Sequence, residues 1–262
     1  MPDTRLKFAE TLARQAGQLA VDLRQHPDGL AIDTKGPQDF VTAADLAVET
    51  LIREAIADAY PDDSVLGEEG GLTGDAAACW IIDPIDGTAN YMRDMPDWAV
   101  SIGYFDGADL THGVIFAPDH RALASARTGQ PARLNDAQIS VSDRVDFDQS
   151  MVVLGYSQRV GLSDHLDRIG RLLESGCEYR RQGAATIGLM SVASGRVEAY
   201  YEPSLNVWDA AAGLVLVRAA GGVVEHPDLS RFLLAPGMVL AANQNAGPIA
   251  DICKGTGASS NH

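Results

Sequence analysis

The chain has 262 residues, of which 46% are hydrophobic and 21% charged, proportions that match a folded globular protein and exclude a disordered one. Its length allows one domain or two, either able to bury a core of its own. With 36 acidic residues against 20 basic, the formal charge is −16; such a field repels nucleic-acid backbones and anionic membranes, and neither is expected as a partner.

Cys79, Cys177 and Cys253 are odd in number and far apart, without zinc or disulfide spacing, which suits a reducing cytoplasm. The first residues hold no apolar signal region and no run of 18 apolar residues occurs, so neither export nor membrane anchoring is expected. The six histidines are scattered without ligand spacing, and no GxGxxG or GxxxxGK[ST] loop follows a strand, which argues against nucleotide-cofactor chemistry.

In chain order, Leu6, Ala9, Leu12, Ala13, Ala16, Leu19, Ala20 and Leu23 recur at helical spacing and predict an amphipathic helix over 4–25. A second helix starts after Val41, where Thr42 and Asp45 have capping-box spacing. Val48, Leu51, Ile52, Ala55, Ile56 and Ala59 form its stripe before Pro61 stops it. GEEGG, residues 67–71, reads by itself as a solvated turn. From Trp80 the pattern becomes short β-rich runs over 80–83, 99–105, 113–117, 122–126 and 139–142, expected to form one mostly antiparallel sheet. After the acidic stretch VSDRVDFDQS, strands in MVVLGY, CEYRR, VEAYY, GGVVE and MVLAAN alternate with helices over 164–175, 184–194 and 209–220 and a short last helix. The expected organisation is an α+β half over 1–145 and an α/β half over 146–262, packed across an apolar interface, with the tail KGTGASSNH disordered.

The stretch WIIDPIDGTANY carries the chemistry. Trp80 to Ile82 read as a buried strand ending in Asp83, and Pro84, which has no N–H and a fixed φ, is expected to end the ladder. Gly87 permits close backbone approach, and Thr88 opens a short helix whose free N–H groups suit an anion such as phosphate. Asp83 and Asp86 on one tight turn raise each other's pKa unless a cation intervenes. Magnesium fits, because it takes carboxylate, water and phosphate oxygens and needs no His or Cys. Plainer roles stay open for each acid: Asp83 as a turn cap, Asp86 in an Asx-turn, Asp45 as the capping partner of Thr42, and Asp209 in NVWDAAAG as a helix-start carboxylate.

KGPQDFVTAADLAVE, VLGEEGG, WIIDPIDGTANY and VWDAAAG together resemble the signature segments of the inositol monophosphatase family, in that family's order and approximate spacing over roughly Leu6 to Asn243. The resemblance implies a five-layered αβαβα sandwich of the sugar-phosphatase type. It also implies a magnesium-dependent, lithium-sensitive phosphomonoesterase, commonly a homodimer, in which metal-activated water attacks a small polyol phosphate such as myo-inositol monophosphate. Carried over by position, Glu68, Asp83 and the Ile85 carbonyl match the ligands of a first ion, and Asp83, Asp86 and Asp209 those of a second. Glu68 also matches the contact to a weaker third ion. Asp45 and Thr88 match the pair that orients the water, with Glu69 and Lys35 in support; the Gly87 and Thr88 amides are expected to hold the phosphate. Asp86, Ala185 and Glu202 match substrate contacts, Glu202 as acceptor for ring hydroxyls.

The chain departs from the family pattern at the pocket rim. Tyr91 stands where the family has Phe, Pro203 and Ser204 follow Glu202, the acidic MRDMPDW stands where a basic residue and aromatics are usual, and TGQPARLND replaces a Gly-rich hairpin. These leave open related substrates, 3'-phosphoadenosine 5'-phosphate, histidinol phosphate or fructose 1,6-bisphosphate. A non-enzymatic reading, a dimeric regulatory platform with a vestigial metal site, stands beside them.

Overall fold

A computed structural model describes residues 4–26, 32–36 and 39–255, with backbone only for 32–36 and 39–41. The polypeptide opens with α1 (Thr4–Arg24), a hairpin of β1 (Ile32–Gly36) and β2 (Asp39–Thr42), and α2 (Ala43–Ala59). The predicted stripe of α1 is the face that is buried, through Ala9, Leu12, Ala13, Ala16 and Ala20. The capping box that starts α2 is formed as its sequence indicates.

Next come β3 (Ser64–Gly67), β4 (Gly71–Thr73), β5 (Cys79–Asp86), α3 (Thr88–Tyr91), β6 (Ala99–Phe105), β7 (Leu110–Ala117), β8 (Ala122–Arg127), β9 (Arg133–Leu134) and β10 (Ala137–Gln138). These eight strands form one sheet in the order β10-β9-β8-β7-β6-β5-β3-β4, antiparallel except for the parallel pair β3–β5. GEEGG is therefore the partly exposed turn of the β3–β4 hairpin at the sheet's edge. The strand expected at 139–142 is absent; pairing at this edge ends at Gln138, within β10.

The remaining elements are β11 (Met151–Leu154), α4 (Leu162–Glu174), β12 (Glu178–Arg180), α5 (Ala185–Ala193), β13 (Ala199–Leu205), α6 (Val207–Ala219), β14 (Val223–Glu225), α7 (Leu229–Phe232), β15 (Gly237–Ala242) and α8 (Gly247–Lys254). A second sheet runs β12-β11-β13-β15-β14. The tail 256–262 lies outside the described residues.

Side-chain alternation along β5 and β6 explains the layers. Trp80, Ile82, Val100 and Ile102 point to one cluster with α1 and α2, whereas Ile81 and Ala99 point to another with α5 and α6. The second sheet likewise offers Val153 and Tyr200 to α5 and α6, and Val152, Leu154 and Tyr201 to the outer cluster that holds Leu172 of α4 and Ile249 of α8. The result is the αβαβα sandwich, with both sheets covered on both faces.

The middle layer approaches the first sheet very closely. A Cβ on Gly113 would fall 2.3 Å from the Ala212 carbonyl, and one on Gly103 2.8 Å from Ala211 Cβ. Alanines in VWDAAAG facing glycines on β6 and β7 thus let α6 lie flat on the strands, and Ser101 Oγ donates to the Trp208 carbonyl at 3.2 Å. That contact delivers the N-terminus of α6, with Asp209 in its first turn, to the end of β5.

A candidate metal and phosphate site

In a regular strand, side chains three residues apart point to opposite faces. Asp83 and Asp86 nevertheless share a face, because β5 pairs Asp83 with Ser101 and Asp86 with Ala99, three steps against two. This is a β-bulge, and Pro84, with no N–H to pair, sits inside it. The expectation that Pro84 ends the ladder is corrected: the ladder breaks and resumes, and the break turns both carboxylates the same way.

Glu68 arrives by a different route. Because β3 and β5 are parallel with Gly67 opposite Ile82, the residues just beyond, Glu68 and Asp83, emerge side by side at the carboxyl ends of the two strands, where ligand sites of α/β sheets commonly form. Asp209 comes from the first turn of α6, where its carboxylate also accepts from Asn206 N at 3.3 Å. Asp86 is anchored by the other half of the chain. Its Oδ2 accepts from Thr186 N at 2.7 Å and from the Thr186 hydroxyl, capping α5, whose own N-cap Ala184 has no side chain to do so.

These residues line one cavity of about 200 Å³ together with Ile85, Gly87, Thr88, Ala185 and Glu202. Carboxylate oxygens of Asp83, Asp86 and Asp209 lie within 4.8 Å of one another. At about 4 Å and an effective dielectric near 20, each pair of unit charges repels by about 4 kcal/mol, and whole domains are stable by only about 5–15 kcal/mol. Three bare charges would therefore consume most of that margin. The titration shifts record the same strain. Burial, then the charges of Glu68, Asp86 and Asp209, hold the Asp83 carboxyl well above the usual range. Burial and the Asp86 charge push Asp209 up to about 8. Asp86 is raised by burial against the opposing pull of its hydrogen bonds to Thr186. The donor set fits a hard divalent cation, since every group in it is an oxygen, and Arg181 is the one cationic side chain among the described lining residues.

Asp45 does not line the cavity but reaches it through Thr88. Its Oδ2 accepts from Thr42 N at 2.8 Å and the Thr42 hydroxyl at 2.5 Å, and its Oδ1 lies 3.2 Å from Thr88 Oγ1. The Thr88 hydroxyl also stands 3.0 Å from the Ile85 carbonyl, and its single proton serves one acceptor at a time. Burial raises the Asp45 pKa against the hydrogen bonds from Thr42, and the nearby Glu69 charge adds to the rise. Gly87, the residue before α3, has φ +88°, and a Cβ there would fall 2.8 Å from the Asp97 carbonyl, so only glycine fits this turn. Lys35 lies on β1, with its side chain outside the described residues.

At the far end, Glu202 Oε2 accepts from the Tyr200 hydroxyl at 2.6 Å, and burial pushes the Glu202 carboxyl up to about 7. A Cβ on Gly155 would fall 1.9 Å from Glu202 Oε2. Ala185, the first residue of α5, lines the same recess. Asn90 donates to the carbonyls of Asp97 at 2.6 Å and Gln182 at 2.8 Å, stitching the turn after β5 to the lead-in of α5. Sequence alone does not single out Thr186 and Gly155, which meet Asp86 and Glu202 from distant parts of the chain, nor Tyr200, which lies two residues from its acceptor Glu202 within one strand but carries no motif signal.

The family model for the inositol monophosphatase family matches residues 1–255. The chain belongs to the inositol monophosphatase family. Among relatives in this family it is 39% identical over 214 residues to the Nus factor SuhB of Xylella fastidiosa, covering 81% of this chain and 78% of that one. Among solved structures it is similar to the extragenic suppressor protein suhB of Bartonella henselae, with TM-score 0.89, 29% identity and coverage of 97% and 98%. It is similar also to the inositol monophosphatase of Anabaena, with TM-score 0.79, 30% identity and coverage of 96% and 94%. The family's layered sandwich is the fold described above. No helix among the described residues is long and apolar enough to cross a membrane.

Proposed function

We propose that this inositol monophosphatase family member is a magnesium-dependent phosphomonoesterase acting on a small polyol phosphate, with myo-inositol monophosphate the leading candidate. The observation that carries the reading is the convergence of Asp83, Asp86 and Asp209 oxygens within 4.8 Å beside the Gly87–Thr88 backbone in one cavity. Asp83, Asp86, Asp209, Glu68 and the Ile85 carbonyl would hold two or three Mg²⁺ ions. When bound, such ions neutralise phosphate oxygens and acidify water.

The chain's own groups supply the rest. Asp45, by accepting the Thr88 proton, leaves a Thr88 lone pair to accept from the attacking water and fix its direction. The Gly87 and Thr88 amides hold the phosphate oxygens. Glu202, whose Oε2 is occupied by Tyr200, offers its other oxygen to a substrate hydroxyl.

The test is phosphate release from myo-inositol 1-phosphate, 3'-phosphoadenosine 5'-phosphate, histidinol phosphate and fructose 1,6-bisphosphate, with magnesium or with chelator. Magnesium-dependent release, fastest from the inositol ester and abolished by chelator, is expected. The name Nus factor carried by a relative supports a second reading, a dimeric regulatory platform. That reading prevails if magnesium stabilises the fold while none of the esters is hydrolysed. A dimer, a cytoplasmic location and inhibition by lithium are proposed on the family resemblance alone.

A further inference from the structure

Two acids lie one turn apart on the buried face of α2, Asp45 at 0% and Glu49 at 3% exposure. Like charges at this spacing disfavour a helix, and a buried carboxylate persists only where donors compensate it. Asp45 serves Thr88. Glu49 has no contact with the cavity and needs a reason of its own.

We propose that Glu49, neutralised by Arg53, is a positioning residue that sets where the Glu68 carboxylate stands, and that it governs divalent-cation affinity without touching the cation. The proposal rests on the reading of the cavity as a cation site. Glu68 is the first residue of the turn between β3 and β4. On one side Gly67 is held in the sheet, paired with Ile82 and Gly71. On the other side the Glu49 carboxylate accepts from Glu69 N at 2.9 Å and Gly70 N at 2.7 Å. Both flanks of Glu68 are therefore pinned, one by backbone and one by this side chain.

Arg53 completes the clamp. Its Nε donates to Glu49 Oε1 at 2.7 Å, Nη2 to the Gly71 carbonyl at 2.6 Å, and Nη1 to Thr73 Oγ1 at 3.0 Å. The turn's N–H groups thus face the acid, and its closing carbonyl faces the base. The glycines are matched to this pair. A Cβ on Gly67 would fall 2.7 Å from both Arg53 Nη2 and Glu49 Oε1, and a Cβ on Gly70 2.9 Å from the same two atoms. Gly-Glu-Glu-Gly is spaced so that the clamp fits against the backbone on either side of the two acids. One face of one helix consequently sets both the Thr88 hydroxyl, through Asp45, and the Glu68 carboxylate, through Glu49.

Partners that orient metal ligands from outside change affinity by about 10–100-fold when removed, which fixes the scale of the test. Magnesium alone is titrated calorimetrically into wild type, Glu49→Ala, Glu49→Gln and Gly70→Ala, and melting curves are recorded with and without the ion. Expected is a rise in magnesium dissociation constant of about tenfold or more for Glu49→Ala. Glu49→Gln, which retains an acceptor for the turn amides, should lie between Glu49→Ala and wild type. Gly70→Ala removes nothing from the clamp but displaces it, and should weaken magnesium severalfold in a folded protein even if Glu49→Ala does not fold. A dissociation constant unchanged in Glu49→Ala and Gly70→Ala, with only the melting temperature lowered, overturns the positioning role. Absence of magnesium binding by wild type overturns instead the reading of the cavity.

Discussion

Two groups of buried acids sit within one molecule, and their surroundings differ in kind. On α2, Asp45 accepts from Thr42 and Thr88, and Glu49 accepts from two turn amides and Arg53. Those charges are satisfied by the protein itself. In the cavity, Asp83 accepts from Ile85 N, Asp86 from Thr186 and Asp209 from Asn206 N, yet oxygens of all three still converge on one another with no cationic side chain among them. The contrast separates acids that build, held by protein donors, from acids whose mutual repulsion a divalent cation would relieve.

The sharpest way to break this contrast is to neutralise one cavity acid. Asp83→Asn should lower turnover by about 10²–10³-fold, the scale of losing a preorganised charge contact, yet raise the melting temperature of the metal-free protein, because one of three mutually repelling carboxylates is gone. Steady-state rates and melts in chelator check the two signs together; a lower metal-free melting temperature would place Asp83 with the building acids. Thr88→Ala should reduce turnover by about 10²-fold while leaving the magnesium-induced stabilisation in place, so that activity and ion binding part company. Loss of both would show that Thr88 serves the fold rather than the water.

Stability against pH probes the same difference more gently. Asp83 and Asp209 have folded pKa values raised above the unfolded ones, Asp209 to about 8. The folded state therefore holds more protons than the unfolded chain between the ordinary carboxylate value near 4 and about 8, and metal-free stability falls as pH rises through that window. Melting temperature in chelator should drop by about 5 °C or more from pH 5 to pH 8, and saturating magnesium should flatten the curve. A metal-free protein that gains stability over this range contradicts the assignment. The smallest expected effect is at Glu202. Glu202→Gln should raise KM for a polyol phosphate about tenfold, the worth of a hydrogen bond to a charged group, and leave an aryl phosphate without hydroxyls unchanged. An equal rise for both substrates would remove Glu202 from hydroxyl recognition.

What could be seen in advance follows from where the information lies. Helices α1, α2 and α6 were legible because their apolar spacing and caps are local, and the cavity acids because D-P-I-D-G-T and W-D-A-A-A-G are dense motifs. β3 and β4 were missed since two of their seven residues are glycine and their pairing with β5 is decided by sheet contacts rather than propensity. Ile139–Ser142 has strand-like residues but no partner strand, and α7 is too short to show a period. The bulge at Pro84 depends on β6 as much as on β5. Glu49 did leave a local trace, an acid in the middle of the apolar stripe of α2, four residues after Asp45.

The most direct test of the claim that the cavity acids form a divalent-cation site is magnesium titration by calorimetry at neutral pH on wild type and Asp209→Asn. Saturable binding by wild type, with proton release as the raised carboxyls ionise, and binding weakened by at least about tenfold in Asp209→Asn, is the predicted result. Equal heats for the two proteins, or no binding by either, would contradict it.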